Sequence, residues 1–146
     1  MEKIDQKNGC LVVVPGTHRG EFRAHDYPKW KGGVNAMYYG IQDLDLAKLN
    51  LIHLEMNKGD TVLFHPLLVH GSGANRTEGF RKAISCHYAA SECEYFDLTG
   101  TIQEEYKKEV EKLAKKKFGL TPDQKIDVND IWRMKSRVVT GKRINL

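Results

Sequence analysis

The stretch from Thr61 to Ser85 reads TVLFHPLLVHGSGANRTEGFRKAIS, and the interpretation of the whole chain starts from it. It predicts an apolar strand that ends in His70, a turn at Gly71-Ser72-Gly73, and a second strand that opens with Arg81. Pro66 restricts the first strand to a place where a ladder hydrogen bond can be lost. The prediction is therefore two strands, one carrying a histidine and the next an arginine, joined by a tight turn.

The order of these residues fits an iron(II) site with an anionic cosubstrate beside it. A histidine at the end of a strand can bind a metal, and an arginine on the next strand can bind a carboxylate through two parallel hydrogen bonds. His70 and Arg81 are eleven residues apart, a spacing that β proteins also produce by accident. The flanking residues decide between the two interpretations.

Composition predicts an ordinary soluble domain. The chain has 146 residues, of which 40% are hydrophobic and 29% charged, and no segment is apolar enough to span a membrane. The N-terminal MEKIDQKNGC lacks the features of a secretory signal or a transit peptide. Three cysteines without zinc-site spacing (Cys10, Cys86 and Cys93) predict reduced thiols in a reducing compartment.

The net charge of +4 is concentrated at the C-terminus. Residues Trp132 to Leu146 include no acidic side chain and five basic ones: Arg133, Lys135, Arg137, Lys142 and Arg143. Such a tail suggests an anionic partner, such as a phosphate-bearing cofactor, nucleic acid or a membrane surface. A solvated basic terminus is favoured for so few charges, and without an RNA- or DNA-binding motif we expect no nucleic acid partner.

The first half of the chain predicts strands separated by loops. Cys10–Val14 is a β-branched run typical of a strand buried on both faces, and a turn follows at residues 17–20. The loop at Tyr27–Gly33 is either a lid or binding loop or a packed surface loop. Leu51–Phe64 predicts a hairpin with its turn at Asn57–Asp60.

The second half predicts one more strand and then helices. Arg81–Ala90 alternates as a strand, and His87 shares the face of Arg81, where a core position is favoured over a site position. After Gly100 the period becomes helical, with one apolar stripe, and Gly119 stops the helix. The stripe consists of Ile102, Tyr106, Val110, Leu113 and Phe118. The interspersed lysines and glutamates favour a solvated, salt-bridged face, and Ile131-Trp132 predicts a short helix packed on the body.

Three motifs resemble the phytanoyl-CoA dioxygenase family: Asn8–His18 (NGCLVVVPGTH), Lys58–Gly73 and Gly79–His87. The loop at His25–Asn35 and Asp130-Ile131-Trp132 are similar too, so the resemblance covers the whole chain. It implies a mainly β fold with a C-terminal helix, namely the second half of a double-stranded β-helix (jelly-roll, cupin-like) barrel. Residues 1–146 would form the C-terminal part of one oxygenase domain, with strands at about 10–90, a helix at about 101–118 and a tail at 119–146.

The resemblance also implies an activity. This is Fe(II)- and 2-oxoglutarate-dependent 2-hydroxylation of branched-chain fatty acyl-CoA in peroxisomal α-oxidation, with ascorbate (vitamin C) as a further cofactor. His70 would be the second histidine ligand of iron, and Arg81 would bind the distal carboxylate of 2-oxoglutarate. Ser72 would donate a hydrogen bond to the same cosubstrate. No catalytic residue separate from the metal site is implied.

The chain departs from the family in one respect. The family's first histidine and its carboxylate form a His-x-Asp pair on an earlier strand, and this chain contains no His-x-Asp. We expect the upstream half of the barrel to be missing and the chain alone to be inactive. The alternative is a truncated, non-catalytic fragment or interaction protein that assembles with a partner chain. The C-terminal Ile-Asn-Leu is not the usual Ser-Lys-Leu peroxisomal signal, and no other targeting signal is recognised.

A weaker hypothesis is a small cupin-like protein whose own metal site combines His53, Glu55 and His70. His53-Leu54-Glu55 has the spacing that puts both polar side chains on one face of a strand. An ordinary strand pair is favoured over a ligand pair there. His65 is an odd number of residues from His70, which on an unbroken strand puts it on the opposite face.

Overall fold

The computed structural model describes residues 2–27, 39–101 and 103–145. They form two compact units, Met1–Ser85 and Cys86–Leu146. The first unit contains two small antiparallel sheets, and the second contains two helices. The predicted loop at Tyr27–Gly33 lies outside the described residues except for Tyr27.

In the described part of the first unit, the sheets are made of five short strands: β1 (Leu11–Val13), β2 (His25–Asp26), β3 (Gly40–Ile41), β4 (Ile52–Leu54) and β5 (His70–Ser72). One sheet has the order β4-β1-β5, and the other is the pair β2-β3, all antiparallel. The predicted β-branched strand is confirmed as β1, the central strand of the larger sheet. The buried apolar side chains described in this unit are Val13 of β1 and the two residues that flank the strand, Cys10 and Val14.

The predicted hairpin at Leu51–Phe64 is wrong in its second strand. The turn at Asn57–Asp60 forms, with the Asp60 amide donating to the Asn57 carbonyl at 3.1 Å. β4, however, pairs with β1, and a bridge between Ile4 and Met56 extends the pairing toward the N-terminus. The alternation of residues predicts a strand but not its partner, and here the distant β1 is preferred to the adjacent segment 61–64.

The strand predicted to end at His70 instead begins there. The segment before it is a turn, in which the Leu68 amide donates to the His65 carbonyl at 2.9 Å. Pro66 lies in this turn, as expected of a residue that has no amide hydrogen for a ladder. The small residues Gly71 and Ser72 do not form a turn but belong to β5 and pair with β1.

The strand predicted at Arg81–Ala90 is also wrong for the described residues. None of its residues joins a ladder, and Ile84 and Tyr88 are largely exposed. A strand needs a partner for its amides and carbonyls, and a period of two in the sequence does not supply one. His87 is exposed as well, so the core position favoured for it is wrong.

The second unit contains α1 (Glu104–Phe118) and α2 (Val128–Lys135). α1 ends where the sequence predicts, because Gly119 adopts a left-handed φ of 66°. Asp127 is the N-cap of α2, and its carboxylate accepts the Asn129 amide at 2.8 Å in a capping box with Asp130. Neither helix has the length and apolar content needed to cross a membrane.

The buried side of α1 differs from the predicted stripe. Ala114 is buried in α1, and Val128 and Ile131 are buried in α2. The predicted stripe residues Tyr106, Leu113 and Phe118 are exposed, and Ile102 lies outside the described residues. Ile131 packs as predicted, whereas Trp132 is about half exposed.

Lys107 ties the two helices together. Its Nζ lies 3.0 Å from the Asp127 carboxylate and 4.0 Å from that of Glu111. The hydrogen bond to Asp127 raises the pKa of Lys107, and the Asn129 amide followed by Lys107 lowers the pKa of Asp127. Asp97 also faces this cluster. The ionic link is therefore strongest when both groups are charged.

We expect Lys107→Gln to lower the melting temperature between about pH 4 and about pH 10, the window set by the ordinary pKa values of the two groups. Below this pH window, the contribution of the Asp127 carboxylate to stability is lost as the pH falls through its lowered folded-state pKa. Above it the contribution of Lys107 is lost as pH rises through its raised pKa. Thermal melts across pH test this, with Lys116→Gln on the same helix as control. A pH-independent difference would contradict it.

Gly9 allows a close approach between the N-terminal turn and the end of β5. Its φ is 84°, and a Cβ added there would lie 2.5 Å from the Gly73 carbonyl oxygen. Gly59 also has a positive φ, of 98°, but no heavy atom would lie within 4 Å of an added Cβ. A comparison of alanine substitutions at Gly9 and Gly59 therefore distinguishes the cost of backbone strain from the cost of steric contact.

Gly9→Ala should lower the free energy of unfolding by about 2 kcal/mol or more, because a left-handed alanine and a displaced carbonyl both cost free energy. Gly59→Ala should carry the backbone cost alone. Urea denaturation of both variants measures the difference. Equal losses in the two variants would show that the approach of Gly9 to Gly73 does not constrain the fold.

Candidate functional site

His70 begins β5 and lies opposite Val13 of β1. Its Nδ1 is 2.7 Å from the Leu68 carbonyl oxygen. A carbonyl only accepts, so Nδ1 carries the hydrogen of the neutral ring and the lone pair is on Nε2. Metal-binding histidines commonly donate their second nitrogen to a backbone carbonyl in this way, which fixes both tautomer and ring orientation.

Two further contacts hold the segment that carries His70. The Phe64 and His70 rings lie with centroids 4.8 Å apart at an angle of 54°. The Thr17 hydroxyl donates to the Val14 carbonyl at 2.7 Å and accepts the Val69 amide at 2.9 Å. Thr17 thus joins the end of β1 to the residue before His70. The sequence analysis did not predict this role. The signal for it in the sequence is weak: a threonine that directly follows the Pro-Gly at the end of a strand.

Ser72 lies on the same face of β5 as His70. It pairs with Leu11, two residues from the Val13 partner of His70, and alternate strand residues share a face. Both side chains are exposed. The structure therefore brings these two predicted site residues onto one accessible surface of the sheet.

Arg81 follows β5 in irregular backbone and is partly buried. Burial and the carboxylates of Glu55 and Asp5 raise the pKa of the Cys10 thiol. The positive charge of the Arg81 guanidinium opposes this rise. Among the described residues, no hydrogen bond or ion pair joins Arg81 to His70 or Ser72. The role of Arg81 toward a cosubstrate stays a prediction.

His53 lies on the opposite face of the same sheet. It pairs with Val12, whereas His70 pairs with Val13, and neighbouring residues of β1 point to opposite faces. Its Nδ1 lies 3.8 Å from the Cys10 Sγ. The hypothesis of one site built from His53, Glu55 and His70 is therefore wrong, because β1 separates the two histidines.

No described set of three or more His, Cys, Asp and Glu side chains is grouped closely enough to bind a metal ion. His65 does not share a strand with His70, since it opens the turn that precedes β5. Its position relative to His70 therefore cannot be inferred from the alternation of side chains along one strand. Its ring lies 6.0 Å from that of His18. His70 therefore stands as a single candidate ligand in this part of the chain.

The two histidines flanking this turn should have opposite tautomers. His70 donates from Nδ1, whereas Nδ1 of His65 accepts the Leu67 amide at 3.1 Å, which leaves the hydrogen on Nε2. Long-range ¹H–¹⁵N correlation spectra at about pH 8.5, where imidazoles are ordinarily neutral, will distinguish them. An Nε2–H form of His70 would contradict the orientation described for a ligand.

The sequence model of a protein family described as "Phytanoyl-CoA dioxygenase (PhyH)" matches residues 1–83, more than half of the chain. The whole chain is 58% identical to "Phytanoyl-CoA dioxygenase, peroxisomal" of Rattus norvegicus and 56% identical to the Homo sapiens protein, covering 42% of each. It is 58% identical to "Probable phytanoyl-CoA dioxygenase" of Caenorhabditis elegans, covering 48% of that protein.

The chain thus spans less than half the length of these three relatives. The family match includes β1, β4 and β5, and with them His70, Ser72 and Arg81. The resemblance identified from the motifs is confirmed. The chain belongs to the phytanoyl-CoA dioxygenase family.

Proposed function

We propose that this chain contributes to Fe(II)- and 2-oxoglutarate-dependent 2-hydroxylation of branched-chain fatty acyl-CoA, of the phytanoyl-CoA type, as part of a complete enzyme. Membership of the family supports the class of reaction. The observation that carries the assignment of residues is the hydrogen bond from His70 Nδ1 to the Leu68 carbonyl, because it leaves the lone pair on Nε2, as a ligand requires.

The residues of the chain have distinct roles in this proposal. His70 binds iron(II) through Nε2, Ser72 donates its hydroxyl to 2-oxoglutarate, and Arg81 binds the distal carboxylate through a bidentate pair. Iron(II) with 2-oxoglutarate supplies the chemistry that activates oxygen, and ascorbate serves as reductant. The protein holds these groups and excludes water. His70 alone does not complete a two-histidine, one-carboxylate site, so the remaining ligands come from a His-x-Asp pair outside this chain.

We also propose that the sheet β4-β1-β5 is part of a jelly-roll barrel. Its outer strands β4 and β5 have no further strand beside them among the described residues, and Ile52 of β4 is 42% exposed. Beyond β4, Leu63 and Phe80 are 87% and 79% exposed. Open edges and exposed apolar side chains are covered in a closed barrel. The upstream half of the barrel, or a partner chain that takes its place, would cover them.

A peroxisomal location follows by analogy. The rat, mouse and human relatives are named as peroxisomal proteins. The substrate proposed here is the one in their names. We therefore place the complete enzyme in the same compartment.

The alternative is a non-catalytic interaction protein of the same family. The exposed apolar residues of the first unit support a non-catalytic interaction protein as much as they support an incomplete barrel. The two differ in one measurable property: only the first predicts that His70 binds iron once the barrel is complete. Complementation therefore separates them.

The test is anaerobic addition of iron(II) and 2-oxoglutarate, followed by the visible charge-transfer band of the chelate. We expect no band above the protein-free control with this chain alone. A saturable band should form when the chain is co-expressed with the preceding region of the rat relative. His70→Ala should abolish the band, whereas His53→Ala, on the opposite face of the sheet, should retain it. Arg81→Ala should raise the 2-oxoglutarate concentration needed by about tenfold or more, through loss of a charge-assisted pair, and Arg76→Ala should not.

A band that survives His70→Ala would remove His70 from the site. Absence of a band in a complex that forms stably would favour the non-catalytic alternative. A saturable band with the chain alone would show that the missing ligands are supplied by this chain or by a second copy of it.

A further inference from the structure

The basic C-terminal segment is folded back on α2 by hydrogen bonds. Asn145 makes two hydrogen bonds to one segment of the chain. Its backbone amide donates to the Ser91 carbonyl and its side-chain amide donates to the Glu92 carbonyl, each at 2.8 Å. The Ser91 hydroxyl donates to the Lys142 carbonyl at 2.8 Å. The segment expected from its charge to be a solvated tail is therefore fixed at residues 142 and 145.

Two arginines complete this arrangement. Arg133 of α2 donates from Nη2 to the Asn145 carbonyl at 2.9 Å. Arg143 donates from Nη1 to the Ser136 hydroxyl at 3.1 Å and from Nη2 to the Ser136 carbonyl at 3.4 Å. Neutral acceptors orient both guanidinium groups. Each guanidinium has five N–H donors, so donors remain for a further ligand.

No acidic side chain neutralises these arginines among the described residues. The sequence from Trp132 to Leu146 contains no Asp or Glu, and Lys135, Arg137 and Lys142 add positive charge to it. Pre-oriented arginines that have no carboxylate partner in the described part of the chain are suited to phosphate, which a guanidinium binds through paired hydrogen bonds.

The same arginines line a shallow groove that is open to solvent, together with Met134 and Ile144. Both apolar residues are more than half exposed. The groove therefore combines cationic groups with an apolar wall, which matches a ligand that carries phosphates next to a flat or aliphatic group.

We infer that this groove, defined by Arg133, Met134, Arg143 and Ile144, binds the phosphate-bearing adenosine end of the acyl-CoA substrate. The inference rests on the proposed function, which supplies coenzyme A as the carrier of the substrate. Arg133 and Arg143 would bind the 3′-phosphate or the diphosphate, and Met134 and Ile144 would contact the adenine. These are residues of substrate binding and not of the oxidation.

The test measures calorimetric binding of free coenzyme A to the purified chain, without iron. We expect saturable binding that weakens with rising salt, because exposed charges are screened. Arg133→Met and Arg143→Met should each weaken binding about tenfold, the effect of losing one charge-assisted contact. Lys116→Met removes the same charge from α1 and should leave affinity unchanged.

Met134→Glu provides a second test, since it opposes phosphate without removing a hydrogen bond of either arginine. It should weaken binding while Leu113→Glu, at an equally exposed position of α1, does not. Far-UV circular dichroism and melting curves will show that the variants fold. Equal affinity of a folded Met134→Glu variant and the parent chain would overturn the inference.

Two other ligands serve as further arms. Competition by inorganic phosphate as strong as by coenzyme A would identify a general anion site and overturn the assignment. Sedimentation of the chain with phosphatidylserine-containing vesicles, without saturable binding of coenzyme A, would also overturn the assignment. That result would favour a membrane surface as the partner of the groove. Failure of coenzyme A binding in a complex that still forms the iron chelate would refute the groove alone and leave the proposed function standing.

Discussion

The pairing of β1 with both β4 and β5 is the constraint on which the first unit depends. β1 is short, yet it joins segments about forty and sixty residues further along the chain. Its register gives His70 and Ser72 to one face of the sheet and His53 to the other. A shift of one residue would exchange these faces, because side chains alternate along a strand.

Local hydrogen bonds reinforce that register at both ends of β1. The Gly73 amide donates to the Cys10 carbonyl at 3.3 Å, and the Val14 amide donates to the Val69 carbonyl at 2.9 Å. Thr17 adds its hydroxyl between Val14 and Val69. The position of His70 is thus fixed by hydrogen bonds to the residues on either side of it in the chain.

Polar contacts connect separate segments of the second unit. Few of its residues are buried, while the capping box of α2, the bridge from Lys107 to Asp127 and the bonds of Asn145 connect separate segments. Charged contacts at the surface contribute little singly and more as a network. Arg133 and Arg143 differ from this pattern, because among the described residues their hydrogen bonds go to neutral acceptors and to no carboxylate.

The sequence by itself determined the family, the central strand β1, the stop of α1 at Gly119 and the identity of the candidate site residues. These rest on local chemistry: β-branched runs, a glycine tolerant of positive φ, and motifs read letter by letter. Only the tertiary structure decided that β4 pairs with β1 instead of residues 61–64, that β5 begins at His70, and that His53 and His70 lie on opposite faces. Strand partners depend on segments far apart in the chain, and the periodicity of one segment does not identify which other segment it pairs with.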